Sequence, residues 1–255
     1  MEHVPKIPMA TDTTQPAADN PAWAAHAAQY RAEGLVNEDL FQTLLLLSSI
    51  QRISHASVLF DTTKGAFDRV AALVLIILLS PIFLVAALAI MVSTGGPVFF
   101  CQTRSGKFAA PFKIYKFRTM VPASERQIAF VQNHARNGLF KNPADPRITR
   151  VGRVLRRLSI DELPQLFNVL IGDMSLIGPR PLPESDSSTV MPEHYLRFVV
   201  KPGITGLWQV YARGEPDGRV KLALDCEYVR RRGVLFDLKL LLITIPRVLS
   251  GRGAY

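Results

Sequence analysis

The sequence predicts an α+β protein, mainly helical, in which a membrane-embedded helix-break-helix joins a globular domain carrying a small β-hairpin and interfacial amphipathic helices. Three observations predict it. Residues 70–92 are 23 positions without a charge, and none occurs between Arg69 and Arg104, enough for the roughly 20 apolar residues that a bilayer segment needs. Two β-prone runs, 96–102 and 112–118, flank a Ser105-Gly106 turn. Apolar runs of helical length recur at 163–171 and 235–249.

Residues 1–35 are rich in Ala, Pro, Thr and Asp and lack the apolar core of a signal peptide, which predicts a disordered tail. Residues 36–60 predict an amphipathic helix that starts at Asn37-Glu38-Asp39 and carries Leu40, Phe41, Leu44 and Leu45 on its apolar side. Residues 64–95 form the membrane helix. Ser80-Pro81 divides it into halves too short to cross alone, because Pro81 breaks the hydrogen-bond ladder and Ser80 is placed to bond a freed backbone group. A kinked spanning helix and a segment that enters and leaves by one face both fit this break. Bases flank both ends, with Lys64 and Arg69 before, and Arg104, Lys107, Lys113, Lys116 and Arg118 after. Either topology keeps residues 96–255, the larger charge cluster, on the cytoplasmic side.

Within that domain, Lys113, Lys116 and Arg118 stand on the second hairpin strand, as a solvated basic strand or as a phosphate-binding one. Residues 121–140 predict a helix ended by Asn142-Pro143-Ala144-Asp145-Pro146. Then come Arg147, Arg150, Arg153, Arg156 and Arg157, followed by Ser159-Ile160-Asp161-Glu162-Leu163-Pro164-Gln165. Ser159-x-x-Glu162 has capping-box spacing, so Asp161 and Glu162 are expected at a positive helix end, which favours their ionised form and attracts phosphate. A well-capped surface helix is the plainer reading of the same residues. Gly178-Pro179-Arg180-Pro181 stiffens the backbone around Arg180 and aims its guanidinium fork, which suits a diphosphate. Residues 201–210, which include Thr205, predict a Gly-punctuated turn into a strand, with Trp208 placed to stack on a base or to fill a core and Gln209 to read the base's edge. Residues 235–249 predict a helix lying at an interface, with Asp237, Lys239 and Arg247 on its polar side.

Charge narrows the partners. Residues 1–63 carry three Lys/Arg against seven Asp/Glu, whereas residues 64–255 carry 27 against 14. A basic body suits anionic lipid or a phosphorylated substrate. Nucleic acid is set aside, because such a binder has no place for 23 uncharged apolar residues. Cys101 and Cys226 show no ligand spacing and form no disulfide framework.

Over residues 60–255 the chain resembles the bacterial sugar transferases, the monotopic phosphoglycosyl transferases of the undecaprenyl-phosphate galactose or glucose phosphotransferase type. The resemblance rests on an ordered set: Lys64 and Asp68, Ser80-Pro81, Gly96-Pro97-Val98-Phe99, Tyr115-Lys116-Phe117-Arg118-Thr119-Met120, Asp161-Glu162-Leu163-Pro164-Gln165, Gly172-Asp173-Met174-Ser175, Gly178-Pro179-Arg180-Pro181, and the turn from Pro202 to Val210. The family's Lys-Arg pair departs here, where Gly65 follows Lys64. Nothing matches the multi-spanning N-terminal region of long members, which implies a short form.

The resemblance implies a re-entrant membrane helix and a catalytic domain at the cytoplasmic face of the bacterial inner membrane. It also implies transfer of a sugar 1-phosphate from a UDP-sugar to undecaprenyl phosphate, with release of UMP, as the first membrane step of exopolysaccharide assembly. Asp161 would be the nucleophile, Glu162 its partner, and both would hold a magnesium ion. Lys113, Lys116, Arg118, Arg180, Thr205, Trp208 and Gln209 would bind substrate, and a homodimer is admissible. Two mechanisms stay open at this level: attack by Asp161 on the sugar-bearing phosphorus, or direct attack by the lipid phosphate with the carboxylates holding metal. The competing reading is a non-enzymatic adaptor that uses its basic face at the membrane.

Overall fold

The computed structural model describes residues 55–121, 145–215 and 217–250. Residues 58–255 form one unit. The expected tail, most of the amphipathic helix at 36–60 and most of the helix at 121–140 lie outside the described residues.

Two helices open it. α1 (His55–Leu78) and α2 (Ser80–Thr94) are bent by 62° about Leu79. Pro81 lies in the first turn of α2, where its missing amide leaves no helical bond unmade. The ladder resumes at Phe83, whose amide donates to the Leu79 carbonyl at 3.0 Å. The Ser80 hydroxyl makes no hydrogen bond among the described residues, so the bend rests on Pro81 and not on the expected Ser80 bond. No single described helix is long and apolar enough to cross a membrane, but the bent pair together passes that test. Its outer face stays apolar, with Val70, Ile77, Leu84, Val85 and Val92 exposed.

The inner face anchors the rest. Ala86 and Ile90 of α2 pack with Phe117 and Leu155, and Phe83 meets the Phe117 ring edge-on at 5.4 Å. Lys64 of α1 pairs with Asp68 at 3.3 Å and with Asp237 at 2.8 Å, and the Ser175 hydroxyl donates to Asp68 at 2.6 Å.

The hairpin forms as expected. β1 (Phe99–Ser105) runs antiparallel to β2 (Pro111–Phe117), pairing Phe99 with Phe117 and Ser105 with Pro111. Its other edge takes β4 (Leu182–Pro183), giving the order β2-β1-β4. α3 (Arg150–Arg157) is capped by Thr149, which accepts from the Gly152 amide at 2.8 Å. α4 (Gln165–Ile171) docks on β2 through the fully buried Asn168, whose amide group donates to Lys113 O at 2.7 Å and accepts from Tyr115 N at 3.0 Å.

β3 (Ser175–Ile177) pairs in parallel with β5 (Gly203–Thr205). α5 (Glu184–Ser187) follows β4. The turn at 201–210 differs from expectation: the strand comes first, as β5, and Trp208 and Gln209 belong to a short helix, α6 (Leu207–Tyr211). The chain passes so close to Gly178 that a side chain at Gly203 would meet Gly178 backbone. This contact pins the loop carrying Arg180 against β5. α7 (Gly218–Arg231) and α8 (Val234–Ser250) complete the fold. On α8, Leu235, Leu238, Leu242 and Ile245 point outward while Asp237 is buried against Lys64. The helix thus carries an outward apolar stripe, but Asp237 leaves its polar side for the interior.

Candidate active site

The carboxylates sit where α3 ends. Ser159 adopts a left-handed conformation (φ 56°), and Ile160–Glu162 form a single 3-10 turn before α4. The expected capping box does not form. Ser159 caps nothing and instead accepts a hydrogen bond from Arg213 Nη2 at 3.0 Å. Both carboxylates lie in the first turn of this short 3-10 helix, as a helix start would have it, but not on the N-terminus of α4, which begins beyond Pro164.

Glu162 is held from two sides. Lys116 Nζ lies 3.1 Å from its Oε1, and Arg180 reaches Oε1 with Nη2 at 2.5 Å and Oε2 with Nη1 at 3.3 Å. Burial pushes its carboxyl upward, but the Arg180 and Lys116 charges win and hold it well below the usual carboxylate range. Asp161 beside it makes no hydrogen bond among the described residues. Burial, and then the Glu162 charge, push its carboxyl up to about 6, against the pull of Lys116, Arg156 and Arg180. The pair thus divides into a locked carboxylate and an unengaged one whose affinity for a proton is raised. This reverses the expected effect of a helix end on Asp161.

More bases surround the turn. Arg156 donates to the Thr119 hydroxyl at 2.8 Å. Arg104 donates to Pro181 O at 3.3 Å and Gln102 Oε1 at 2.7 Å, and burial with the neighbouring Arg180 lowers it to about 10. Trp208 lies between Arg180, 5.9 Å from its ring centre, and Lys221, at 5.3 Å. Behind Arg180, Arg197 donates to its carbonyl at 2.5 Å and pairs with the buried Asp225 at 2.9 Å.

Of the residues expected from sequence, the structure brings Asp161, Glu162, Lys116, Arg180 and Trp208 together. Strand alternation places Lys113 on the face of β2 opposite Lys116, exposed. Arg118 follows β2, with its Nε buried and unpartnered among the described residues. Thr205 bonds the Thr244 hydroxyl of α8 at 3.0 Å, and Gln209 donates to Ile204 O at 3.1 Å, so both brace the turn. Ser80 and Pro81 lie at the helix break. Arg104, Arg213, Lys221 and the Arg197–Asp225 pair escaped sequence reasoning, because isolated bases far apart in the chain carry no spacing signal.

Among the described residues no group of three or more His, Cys, Asp and Glu gathers to hold a metal. The fit to magnesium is of another kind: one unengaged carboxylate beside a second, the donor set of an ion that takes its remaining oxygens from phosphates and water.

A carboxylate turn with Lys116, Arg104, Arg156, Arg180 and Arg213 around it, built against an apolar bent helix pair, is suited to anionic substrates. The chain belongs to the bacterial sugar transferase family, whose model matches residues 59–251. It is similar to the exopolysaccharide production protein ExoY of Sinorhizobium fredii, 40% identical over 76% of this chain and 88% of that protein. It is also similar to the UDP-glucose:undecaprenyl-phosphate glucose-1-phosphate transferase of Caulobacter vibrioides, 43% identical over 78% of this chain and 74% of the relative. With the undecaprenyl-phosphate glucose phosphotransferase of Komagataeibacter xylinus it shares 41% identity over 75% of this chain, which spans only 37% of that longer protein.

Proposed function

We propose that this chain transfers a sugar 1-phosphate from a UDP-sugar to undecaprenyl phosphate, releasing UMP, at the cytoplasmic face of the bacterial inner membrane. The names of the relatives support the reaction class, and two of them specify glucose. The observation that carries the mechanism is the division of the dyad: Glu162 is locked by Lys116 and Arg180, while Asp161, one residue away, makes no hydrogen bond among the described residues.

Asp161 attacks the sugar-bearing phosphorus. Its Oδ–P bond forms as the bond to the bridging oxygen breaks, and UMP leaves with the electron pair. A phosphate oxygen of the lipid then attacks the same phosphorus and returns Asp161 as carboxylate, leaving the sugar on a polyprenyl diphosphate. Arg180, Lys116, Arg156 and Arg213 offset the charge of the diphosphate, and Glu162 keeps Arg180 and Lys116 in place. Asp161 and Glu162 are the residues that would hold a magnesium ion, which supplies further charge withdrawal from the phosphates. The apolar faces of α1, α2 and α8, with the basic body, suit the surface of a membrane rich in anionic lipid.

The test is incubation of the purified full chain with UDP-glucose and magnesium, with and without undecaprenyl phosphate. The reading expects about one UMP per site without lipid, a sugar-phosphate mass on Asp161, and continuous release once lipid is added. UMP release that strictly requires lipid, with no adduct, would favour direct attack by the lipid phosphate. No release under either condition, with any UDP-sugar, would favour the adaptor.

A further inference from the structure

We infer that Arg69, Lys107 and Lys201 form a second anion site, which takes the phosphodiester head of an anionic glycerophospholipid where α1 meets the membrane. The inference rests on the membrane placement proposed above and not on the reaction. The bases come from distant stretches: Arg69 from α1, Lys107 from the hairpin turn, and Lys201 from the approach to β5. Packing brings them together. The Arg69 guanidinium lies over Gly172, where any side chain would strike it. The Ser175 amide donates to Pro202 O at 2.8 Å, which sets Lys201 beside the same stretch. Burial, and then Arg69 and Lys107, lower the Lys201 ammonium from its ordinary value, as like charges at close quarters do.

What these bases lack is counter-charge. None of them forms a salt bridge among the described residues. Of the acids that act on them, Asp68 is taken by Lys64 and the Ser175 hydroxyl, and Asp61 by Arg232 at 3.4 Å. Asp173 is left beside Lys201, one acid against three bases. The hairpin turn presents Lys107 at a conformational cost, since Phe108 (φ 55°) and Ala109 (φ 59°) both take the left-handed backbone that favours glycine. Position then selects the anion. Arg69 is the last charge before the uncharged run, and Val70, Leu73 and Val74 stand exposed on α1 directly beyond it. A phospholipid sets its phosphate on the bases and its acyl chains along that face, whereas free phosphate uses the bases alone. The lipid substrate belongs elsewhere, because it must reach Asp161, on which Lys116, Arg156 and Arg180 act.

The probes are dihexanoyl phosphatidylglycerol and dihexanoyl phosphatidylcholine, titrated into the purified full chain in uncharged detergent, with bound lipid counted by native mass spectrometry. The wild type is expected to hold the glycerol lipid roughly 10- to 100-fold more tightly than the choline lipid, the reach of a few bases on one anionic head. The triple change Arg69→Gln, Lys107→Gln and Lys201→Gln should abolish that preference. A control triple at exposed bases of α3 and α7 (Arg150→Gln, Arg153→Gln and Arg230→Gln) should keep it within about threefold, because distant charge is screened. Should the first triple variant fail to fold, Lys107→Gln and Lys201→Gln taken singly should each weaken the glycerol lipid about fivefold at an unchanged melting temperature. Equal losses in the two triple variants overturn the inference, since the attraction is then diffuse. Displacement of phosphatidylglycerol by equimolar inorganic phosphate overturns it as well, and so does displacement by equimolar undecaprenyl phosphate. UMP release from the same wild-type samples reports the reaction separately. Selective lipid binding without UMP release would sink the proposed reaction and leave this site standing, and UMP release without selectivity would do the reverse.

Discussion

Arg180 closes on Glu162 with both arms of its guanidinium, at 2.5 and 3.3 Å. The fork that the sequence presents as free for a diphosphate is therefore already loaded with a carboxylate. In the proposed reaction a substrate diphosphate would compete for the same donors, while the buried Arg197 donates to the Arg180 carbonyl.

Arg180→Lys keeps the charge but cannot reach both Glu162 oxygens. The loss of one charge-assisted hydrogen bond, about 1.5–3 kcal/mol, predicts a fall of roughly 10- to 100-fold in kcat/KM for UMP release. Wild-type kinetics in a folded Arg180→Lys protein would remove Arg180 from the site.

Asp161 links activity to pH and to stability. In the proposed mechanism ionised Asp161 is the nucleophile, and burial raises it to about 6, so lipid-independent UMP release should show an acid limb with a midpoint near pH 6. The same shift sets a sign for stability. The folded state holds the Asp161 proton more tightly than the unfolded chain, so its stabilising contribution is full below about pH 4 and disappears by about pH 6. Asp161→Asn should therefore be inactive yet more stable than wild type at pH 7–8, by about 1–2 kcal/mol, with the gain fading towards pH 4. Denaturant midpoints across that range measure it, and a variant less stable at neutral pH would contradict the argument.

The Arg197–Asp225 pair separates stability from positioning. Asp225→Ala leaves a buried guanidinium unpaired and should cost about 3–5 kcal/mol. The double change Arg197→Met with Asp225→Leu removes both charges and should recover most of that loss. It still lacks the donor to the Arg180 carbonyl, so UMP release should remain about tenfold slow, the worth of one such bond. Full turnover in the double variant would show that Arg197 does not position Arg180.

Topology can be read with a native probe. Cys101 is exposed on β1 and Cys226 is buried. A membrane-impermeant thiol reagent should therefore miss Cys101 in intact cells and label it in inverted vesicles. Pro81→Leu restores the missing amide, should straighten the bend and should shift the segment towards spanning. Labelling of Cys101 from outside intact wild-type cells would contradict the one-sided arrangement.

Much of this was legible because local patterns carried it. The charge-free run, Pro81, the hairpin turn and the Asp161-Glu162 pair are contiguous signals, and the structure keeps each of them in its place. The capping box failed because Ser159 takes a left-handed backbone and spends its hydroxyl on Arg213, 54 residues away. The strand expected through Trp208 failed because β5 ends at Thr205, and Gly206 lets the chain pass Gly178 before turning helical. Lys221 and Arg197 were invisible for the opposite reason. Each is a lone base in an ordinary helical or turn sequence, and only packing brings it to Trp208 or Arg180.

Lys64 carries a consequence for the order of assembly. Its ammonium is shared between Asp68, four residues on, and Asp237, which the ribosome adds 173 residues later. Until α8 emerges, Lys64 has one of its two carboxylate partners, and Tyr228 lacks the carboxylate to which it donates at 3.0 Å. The first of the described helices is thus fastened by the last of them. A nascent chain can gather its hairpin and its carboxylate turn early, but the clasp between the two apolar helices closes only once α8 has been made.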